Sequence, residues 1–107
     1  MENLLRSDSY KISHGLMYPD GMNFMFDYVE ARSGGKWSEV MFAGFQAFIK
    51  NYLLVPFTKD DIDYAEKMFE RHFGFKLFNR EPFDYILEEY NGYFPVIIKA
   101  VPEGMVN

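Results

Sequence analysis

Residues 55–74, "VPFTKDDIDYAEKMFERHFG", carry a helical pattern with a signal at each end. The apolar positions recur at helical spacing and form one stripe, Ile62, Ala65, Phe69 and Phe73. Thr58 is placed to cap the amino end, where Asp60 and Asp61 would face the positive end of the helix dipole. Gly74 is placed to end the helix, because glycine readily adopts the left-handed conformation of a C-cap. The stretch therefore predicts an amphipathic helix with a buried stripe.

A second helical pattern precedes this stretch and a third follows it. The earlier pattern begins at Ser38, which is a suitable N-cap. Its apolar stripe is wide and consists of Met41, Phe42, Phe45, Phe48, Ile49, Tyr52 and Leu53. The later pattern begins near Pro82, a residue favoured in the first turn of a helix, and stops at the Asn-Gly pair 91–92. Its apolar positions are Phe83, Ile86, Leu87 and Tyr90. The sequence thus predicts three helices.

Two strand-like patterns flank the helices. Residues 23–31, "NFMFDYVEA", alternate in the way expected of a strand with one face mostly buried, and the glycines of "RSGGKW" (32–37) then break the pattern. Residues 93–104, "YFPVIIKAVPEG", are β-branched and bounded by prolines, which favours a second strand. The predicted order of strand, three helices and strand indicates the α+β class. No repeat or linker divides the chain, so residues 1–107 are predicted to form one domain.

Composition limits the classes of function. The chain has 107 residues, of which 49% are hydrophobic, and this is sufficient for a modest core. The absence of cysteine excludes disulfides and favours a reducing compartment, so we expect a cytoplasmic protein. A net charge of −5 argues against a broad nucleic-acid interface. No apolar run approaches the ~20 residues of a membrane span, so no membrane partner is expected.

The acidic residues and histidines do not predict a metal site. Asp60, Asp61 and Asp63 carry the ligand type of a hard cation, but capping and solvation are the commoner roles of carboxylates at a helix start. His72 has no second histidine at a metal-binding spacing. It is therefore interpreted as a packing or surface residue.

Two other positions carry binding chemistry. Arg32 closes the first predicted strand and opens the Gly-Gly loop, from which a guanidinium can bind a phosphate through two parallel hydrogen bonds. Tyr10, with Asp8 nearby, could stack on a flat heterocycle. Spacing alone leaves the plainer alternatives open, namely a surface arginine and a packed tyrosine.

Four stretches are similar to the N-terminal part of the nicotinamide phosphoribosyltransferase family, in the same order and at similar intervals. They are "LLRSDSYKISHGLMYPDG" (4–21), "YVEARSGG" (28–35), "VMFAGFQAFIKNYL" (40–53) and "YILEEYNGYFPVIIKAVPEG" (85–104). The patterns DSYKxSHxxxYPxG and IKAVPEG are long and specific. The related nicotinate enzymes carry Thr-Met where this chain has Ser13 and His14, which favours the nicotinamide branch over a nicotinate phosphoribosyltransferase relative.

The resemblance implies a reaction and a set of site residues. The family joins nicotinamide to phosphoribosyl diphosphate, usually with Mg²⁺, and yields nicotinamide mononucleotide and diphosphate for NAD salvage. Its active site lies at a homodimer interface. By resemblance, Tyr10 stacks on the pyridine ring in the neighbouring subunit's site, Asp8 lies near the bound base and Arg32 contacts the ribose 5-phosphate. Lys11 is assigned either to the phosphate side or to solvent.

The length of the chain departs from the family. Its members are several times longer, and the barrel-like portion that supplies the diphosphate site, the second stacking aromatic and the remaining phosphate ligands has no counterpart here. No catalytic residue or metal ligand is therefore assigned, and the isolated chain is expected to be inactive. The competing interpretation is a non-catalytic dimerisation or binding module, which the 20% aromatic content alone would favour.

Overall fold

The computed structural model describes residues 2–107 of the chain, with side chains from Leu4 onward. Helices are the regular structure of this part of the protein. Two 3₁₀ segments come first, at Glu2–Leu5 and Ser9–Met17. Three α-helices follow, α1 (Phe45–Phe48), α2 (Lys59–Phe73) and α3 (Glu81–Tyr90). A π-helical stretch, Ile49–Leu53, continues α1.

The central helix, α2, has the termini that its sequence predicts. The Asp61 N–H donates to the Thr58 hydroxyl, and the Thr58 N–H donates to the Asp61 carboxylate at 2.8 Å, which completes a capping box. Burial opposes ionisation of Asp61, but hydrogen bonds, among them those from Thr58, outweigh it and hold the carboxyl pKa below its ordinary value. Gly74 ends the helix with φ of 78°. The helix predicted within residues 55–74 is therefore confirmed.

Helix α3 also ends where the sequence predicts. Pro82 lies in its first turn, and Asn91 follows it in the left-handed conformation with φ of 52°. Gly92 comes next with φ of 80°, and its carbonyl accepts a hydrogen bond from the Phe57 N–H at 3.0 Å. A Cβ at Gly92 would collide with the Phe57 carbonyl oxygen. Only glycine fits this close approach of α3's end to the start of α2.

The core lies between α2, α3 and the N-terminal segment. Its buried apolar residues are Leu4, Phe57, Ile62, Ala65, Phe69 and Phe78. Partly buried side chains, including Ile12, Phe73 and Ile86, pack against them. Three of the four positions in the predicted stripe of α2 are buried, which confirms the helical spacing as a guide to the core.

One arginine joins α2 to α3 at the surface of the core. The Arg80 guanidinium donates to Asp63 and Glu66 of α2, each at 2.9 Å, and to Asp84 of α3 at 3.0 Å. Hydrogen bonds from Arg80 and Lys59 lower the pKa of Asp63 below its ordinary value. Asp63 is therefore part of an ion-pair network that links two helices.

The α+β prediction is wrong for the part of the chain that the structure describes. Residues 23–31 and 93–104 form no strand, although the Gly104 N–H donates to the Phe42 carbonyl at 2.7 Å. Phe24 is 91% exposed and Ile97 is 93% exposed. A helix satisfies its backbone within itself, whereas a strand forms only when a second edge accepts its hydrogen bonds. The alternating pattern marks segments suited to a sheet but does not supply the partner.

The predicted start of the first helix is also wrong. Ser38 does not cap it, because Gly44 precedes the first helical residue with φ of 85°. Met41 instead pairs with Val106 in an isolated antiparallel bridge, flanked by reciprocal hydrogen bonds between Val40 and Asn107. The backbone groups of residues 40–42 therefore bond to the C-terminal residues and are not available to a helix, which begins only after them.

Candidate functional site

The N-terminal segment is anchored by apolar side chains at both ends of its polar motif. Leu4 is buried in the core, and Leu5 and Ile12 pack against it. Between these anchors, Arg6 lies over the Tyr52 ring at 4.0 Å from the ring centroid. Such cation–π contacts favour a fixed approach of the two side chains. The polar motif is thus held against the helical part of the protein on each side.

The 3₁₀ geometry of Ser9–Met17 sorts the motif into packed and exposed rows. With three residues per turn, side chains three positions apart share a row, so Ser9 and Ile12 lie above one another on the packed side. The Lys11 N–H donates to the Asp8 carbonyl at 3.0 Å and closes the first turn. Asp8, Tyr10 and Lys11 remain exposed to solvent.

Tyr10 presents an accessible ring with a defined setting. Its side chain is 58% exposed, and the His14 ring contacts it edge-on with centroids 5.4 Å apart. The Ser13 hydroxyl donates to the Tyr10 carbonyl at 2.7 Å, which restrains the backbone at this position. An exposed aromatic face on a restrained backbone can stack on a flat heterocycle with a small loss of entropy. The adjacent Asp8 carboxylate can accept hydrogen bonds from N–H groups of such a ligand.

Arg32 makes no described contact with this motif. It precedes a turn that contains Gly34, whose φ is 86°, and its side chain is exposed. Within residues 4–107, Arg32 makes no ion pair, hydrogen bond or ring contact, and so none with Asp8, Tyr10 or Lys11. Its guanidinium can offer its full set of donors to a phosphate. The structure therefore brings together Asp8, Tyr10 and Lys11 but does not bring Arg32 to them.

Lys11 has no ion pair with the side chains that the structure describes. Its exposure fits a solvated lysine and a lysine that awaits an anion equally well. Both interpretations of this residue therefore stand.

Two polar contacts near the motifs were not predicted from the sequence. The Ser9 hydroxyl lies 3.0 Å from Nε2 of His72, and the Gln46 N–H donates to the Glu103 carboxylate at 2.6 Å. The partners are 63 and 57 positions apart. The local spacing of residues cannot predict contacts between positions so far apart in the chain. The one available sign was that the Glu103 carboxylate, which follows Pro102 in a specific motif, could accept a hydrogen bond from an exposed backbone N–H.

The described residues contain neither a metal-binding cluster nor a membrane-spanning helix. In the described part of the chain, no three His, Asp or Glu side chains lie close enough to hold a metal ion. No described helix combines the length and apolar character needed to span a bilayer.

Sequence comparison connects the exposed motif with a known family. Residues 2–98 match the family described as nicotinamide phosphoribosyltransferase, N-terminal domain. The chain belongs to this family. The nicotinamide phosphoribosyltransferase of Xanthomonas campestris pv. campestris (strain 8004) is 42% identical over 103 residues, which make up 96% of this chain and 21% of that protein. The resemblance carried by the sequence motifs is thereby confirmed.

The coverage of the match has two consequences. The matched range encloses Asp8, Tyr10, Lys11 and Arg32, so all four candidate residues lie within the nicotinamide phosphoribosyltransferase N-terminal domain. The chain spans about a fifth of the length of the curated relative.

Proposed function

We propose that the chain forms the N-terminal part of a nicotinamide phosphoribosyltransferase, which converts nicotinamide and phosphoribosyl diphosphate to nicotinamide mononucleotide and diphosphate in NAD salvage. The observation that supports this most directly is the exposed Tyr10 ring on an anchored 3₁₀ segment within a domain of that family. Residues 1–107 act as one N-terminal domain of a larger phosphoribosyltransferase, located in the cytoplasm.

The residue types suit displacement at the anomeric carbon of a ribose. Such a reaction passes through a cation-like sugar, so it depends on placement of a flat nucleophile and on neutralisation of the phosphates. In this proposal, Tyr10 stacks on the pyridine ring, and Asp8 lies beside the base. Arg32 binds the 5-phosphate, and Lys11 is available on the phosphate side.

In a homodimer, Arg32 and Tyr10 of one chain need not meet, which agrees with the lack of a described contact between them. We assign Tyr10 to the active site of the neighbouring subunit, so that one site combines residues of two chains. The exposure of Asp8, Tyr10 and Lys11 supports this assignment, since residues offered to a partner must project from their own domain. Mg²⁺ would enter with phosphoribosyl diphosphate and be held outside the described residues.

A chimera tests the proposal. The segment of the Xanthomonas relative that matches this chain is replaced by this chain, and turnover is measured while each substrate is varied alone. Tyr10→Ala is expected to raise mainly KM for nicotinamide, and Arg32→Ala mainly KM for phosphoribosyl diphosphate. Each effect corresponds to about 1 to 3 kcal/mol.

Two matched variants control for loss of packing. Tyr85→Ala removes a tyrosine of similar exposure on α3, and Arg71→Ala removes an exposed arginine on α2. Neither is expected to separate the two substrates. Equal effects of Tyr10→Ala and Arg32→Ala on both substrates would contradict the assigned roles.

The isolated chain is expected to be inactive, because it matches only 21% of the length of the Xanthomonas enzyme. Product formation from nicotinamide, phosphoribosyl diphosphate and Mg²⁺ is the measurement. Turnover well above a protein-free blank would contradict the expectation and favour a complete site within this domain.

A further inference from the structure

His72 connects α2 to the segment that carries Tyr10. Its Nε2 lies 3.0 Å from the Ser9 hydroxyl, and its ring packs edge-on against Phe73 with centroids 4.8 Å apart. Phe73 in turn packs against the core. The imidazole is therefore oriented by an apolar neighbour on its own helix while it holds a polar group of a distant segment.

Ser9 lies within the exposed motif itself. It stands between Asp8 and Tyr10, and neither of these side chains makes a hydrogen bond of its own within residues 4–107. Ser9 also shares its row with Ile12, whose side chain packs on the core one turn later. Fixing Ser9 thus fixes the backbone from which the two exposed side chains project.

We propose that His72 is a positioning residue for the nicotinamide site, acting through Ser9 on Asp8 and Tyr10. The role rests on the proposed function, because it concerns the ligand that Tyr10 is proposed to bind. His72 itself does not touch the ligand. A neutral ring can accept the Ser9 O–H at Nε2, and a protonated ring can donate to the Ser9 oxygen, so the contact is available in either state.

The physical effect is a reduction in the cost of binding. A stacking ring on a restrained backbone loses less conformational freedom when a ligand binds than the same ring on a mobile segment. The contact is exposed, so water competes with it, and removing it should loosen the segment without unfolding α2. A purely superficial contact would leave both the segment and the ligand unaffected.

Hydrogen exchange in the full chain measures the first part of the proposal. The Lys11 N–H, bonded to the Asp8 carbonyl, reports on the segment, and the Ile62 N–H, bonded to the Thr58 carbonyl, reports on α2. Ser9→Ala and His72→Phe are expected to speed exchange at Lys11 by about three- to tenfold, the range expected for loss of one hydrogen bond, and to leave Ile62 unchanged. Ser7→Ala, a neighbouring exposed serine, is the matched control.

Kinetics in the chimera measure the second part. Ser9→Ala and His72→Phe are each expected to raise KM for nicotinamide by about three- to tenfold and to leave KM for phosphoribosyl diphosphate unchanged. The double variant should be no worse than either single one, because the two side chains act through one contact. Ser9→Thr keeps the hydroxyl and is expected to restore the parent value.

The outcomes separate the two levels of the proposal. If Tyr10→Ala raises KM for nicotinamide but Ser9→Ala and His72→Phe behave like Ser7→Ala, the positioning role of His72 is overturned. If Tyr10→Ala has no such effect, the proposed function fails, and faster exchange at Lys11 would then identify the Ser9–His72 contact as a structural tether only. If His72→Phe alters exchange at Ile62, Ser9→Ala decides the matter, since it leaves α2 intact.

Discussion

The segment 23–31 has a larger share of large apolar side chains than the helical unit of α2 and α3, yet the helices bury or half-bury most of theirs and the segment does not. Phe69 of α2 is 6% exposed, whereas Phe26 is 89% exposed. The helices bond their own backbones and need only a surface to pack against, while the alternating segment has no described edge to pair with. Apolar content alone therefore does not decide burial, since the backbone must also have partners.

Truncation of one phenylalanine in each region tests most directly whether only the helical region contributes to the core. Phe69→Ala is expected to lower the free energy of unfolding by about 3 to 5 kcal/mol, because it leaves a cavity in the core. Phe26→Ala should change it by less than about 0.5 kcal/mol, as is usual for a surface site. Urea denaturation of the full chain measures both. Comparable losses would show that residues 23–31 pack somewhere that the structure does not show.

A pair of glycines extends the contrast to the backbone. Gly92→Ala is expected to cost about 2 to 3 kcal/mol or more, because the new Cβ meets the Phe57 carbonyl and φ is positive. Gly34 has φ of 86° but nothing near its missing Cβ, so Gly34→Ala should cost about 1 kcal/mol, the strain of the left-handed conformation alone. Thermal unfolding of the two variants checks the difference, and equal losses would refute the steric contribution of Phe57.

The exposed apolar segments are expected to make the isolated chain self-associate. Residues 93–101 carry β-branched side chains, with Ile97 at 93% exposure, beside backbone groups that no described strand pairs. Light scattering over a wide concentration range should show growth in mass. Ile97→Lys should weaken association by about tenfold, corresponding to about 1.4 kcal/mol. Lys99→Arg, which keeps charge and bulk, is the control, and a strict monomer at high concentration would contradict the expectation.

The Arg80 network should give the smallest effect, and a pH-dependent one. The pKa of Asp63 is lowered from its ordinary value of 3.8, so its ion pair stabilises the fold above that value and is lost as pH falls through the lower folded pKa. Arg80→Gln is thus expected to destabilise the chain at neutral pH, and its difference from the parent should shrink below pH 3.8. Lys67→Gln, an exposed change on the same helix, should show no such convergence. A constant difference across the acid range would exclude the ion pair as the cause.

The parts of the fold that the sequence predicts are those with local causes. The Thr58 cap, the Gly74 stop and the stop after Tyr90 are set within a few residues, and all three are confirmed. The two strands and the start at Ser38 were wrong, because pairing depends on edges far away in the chain. Met41 pairs with Val106 in an antiparallel bridge, for example, and the sequence pattern around neither residue predicts this pairing.

The candidate site divides in the same way. Specific motifs pointed to Asp8, Tyr10, Lys11 and Arg32, and these positions lie within the matched family domain. Their roles stay predictions, since no ligand contact tests them. The contact between Ser9 and His72, which holds the segment that carries Asp8 and Tyr10, could not be predicted. The two residues belong to no motif with each other, and only the folded chain brings them together.

The contact between Gln46 and Glu103 has a consequence for the order of events during synthesis. The Glu103 carboxylate, which accepts the Gln46 N–H in the first turn of α1, lies 57 positions after Gln46, and the partners of Val40 and Phe42 are later still. On a ribosome, α2 and its cap are made while α1 still lacks these partners, so the amino end of α1 is completed after α2 although it is translated before α2. A nascent chain released before Glu103 would carry a formed α2 beside an unfinished α1.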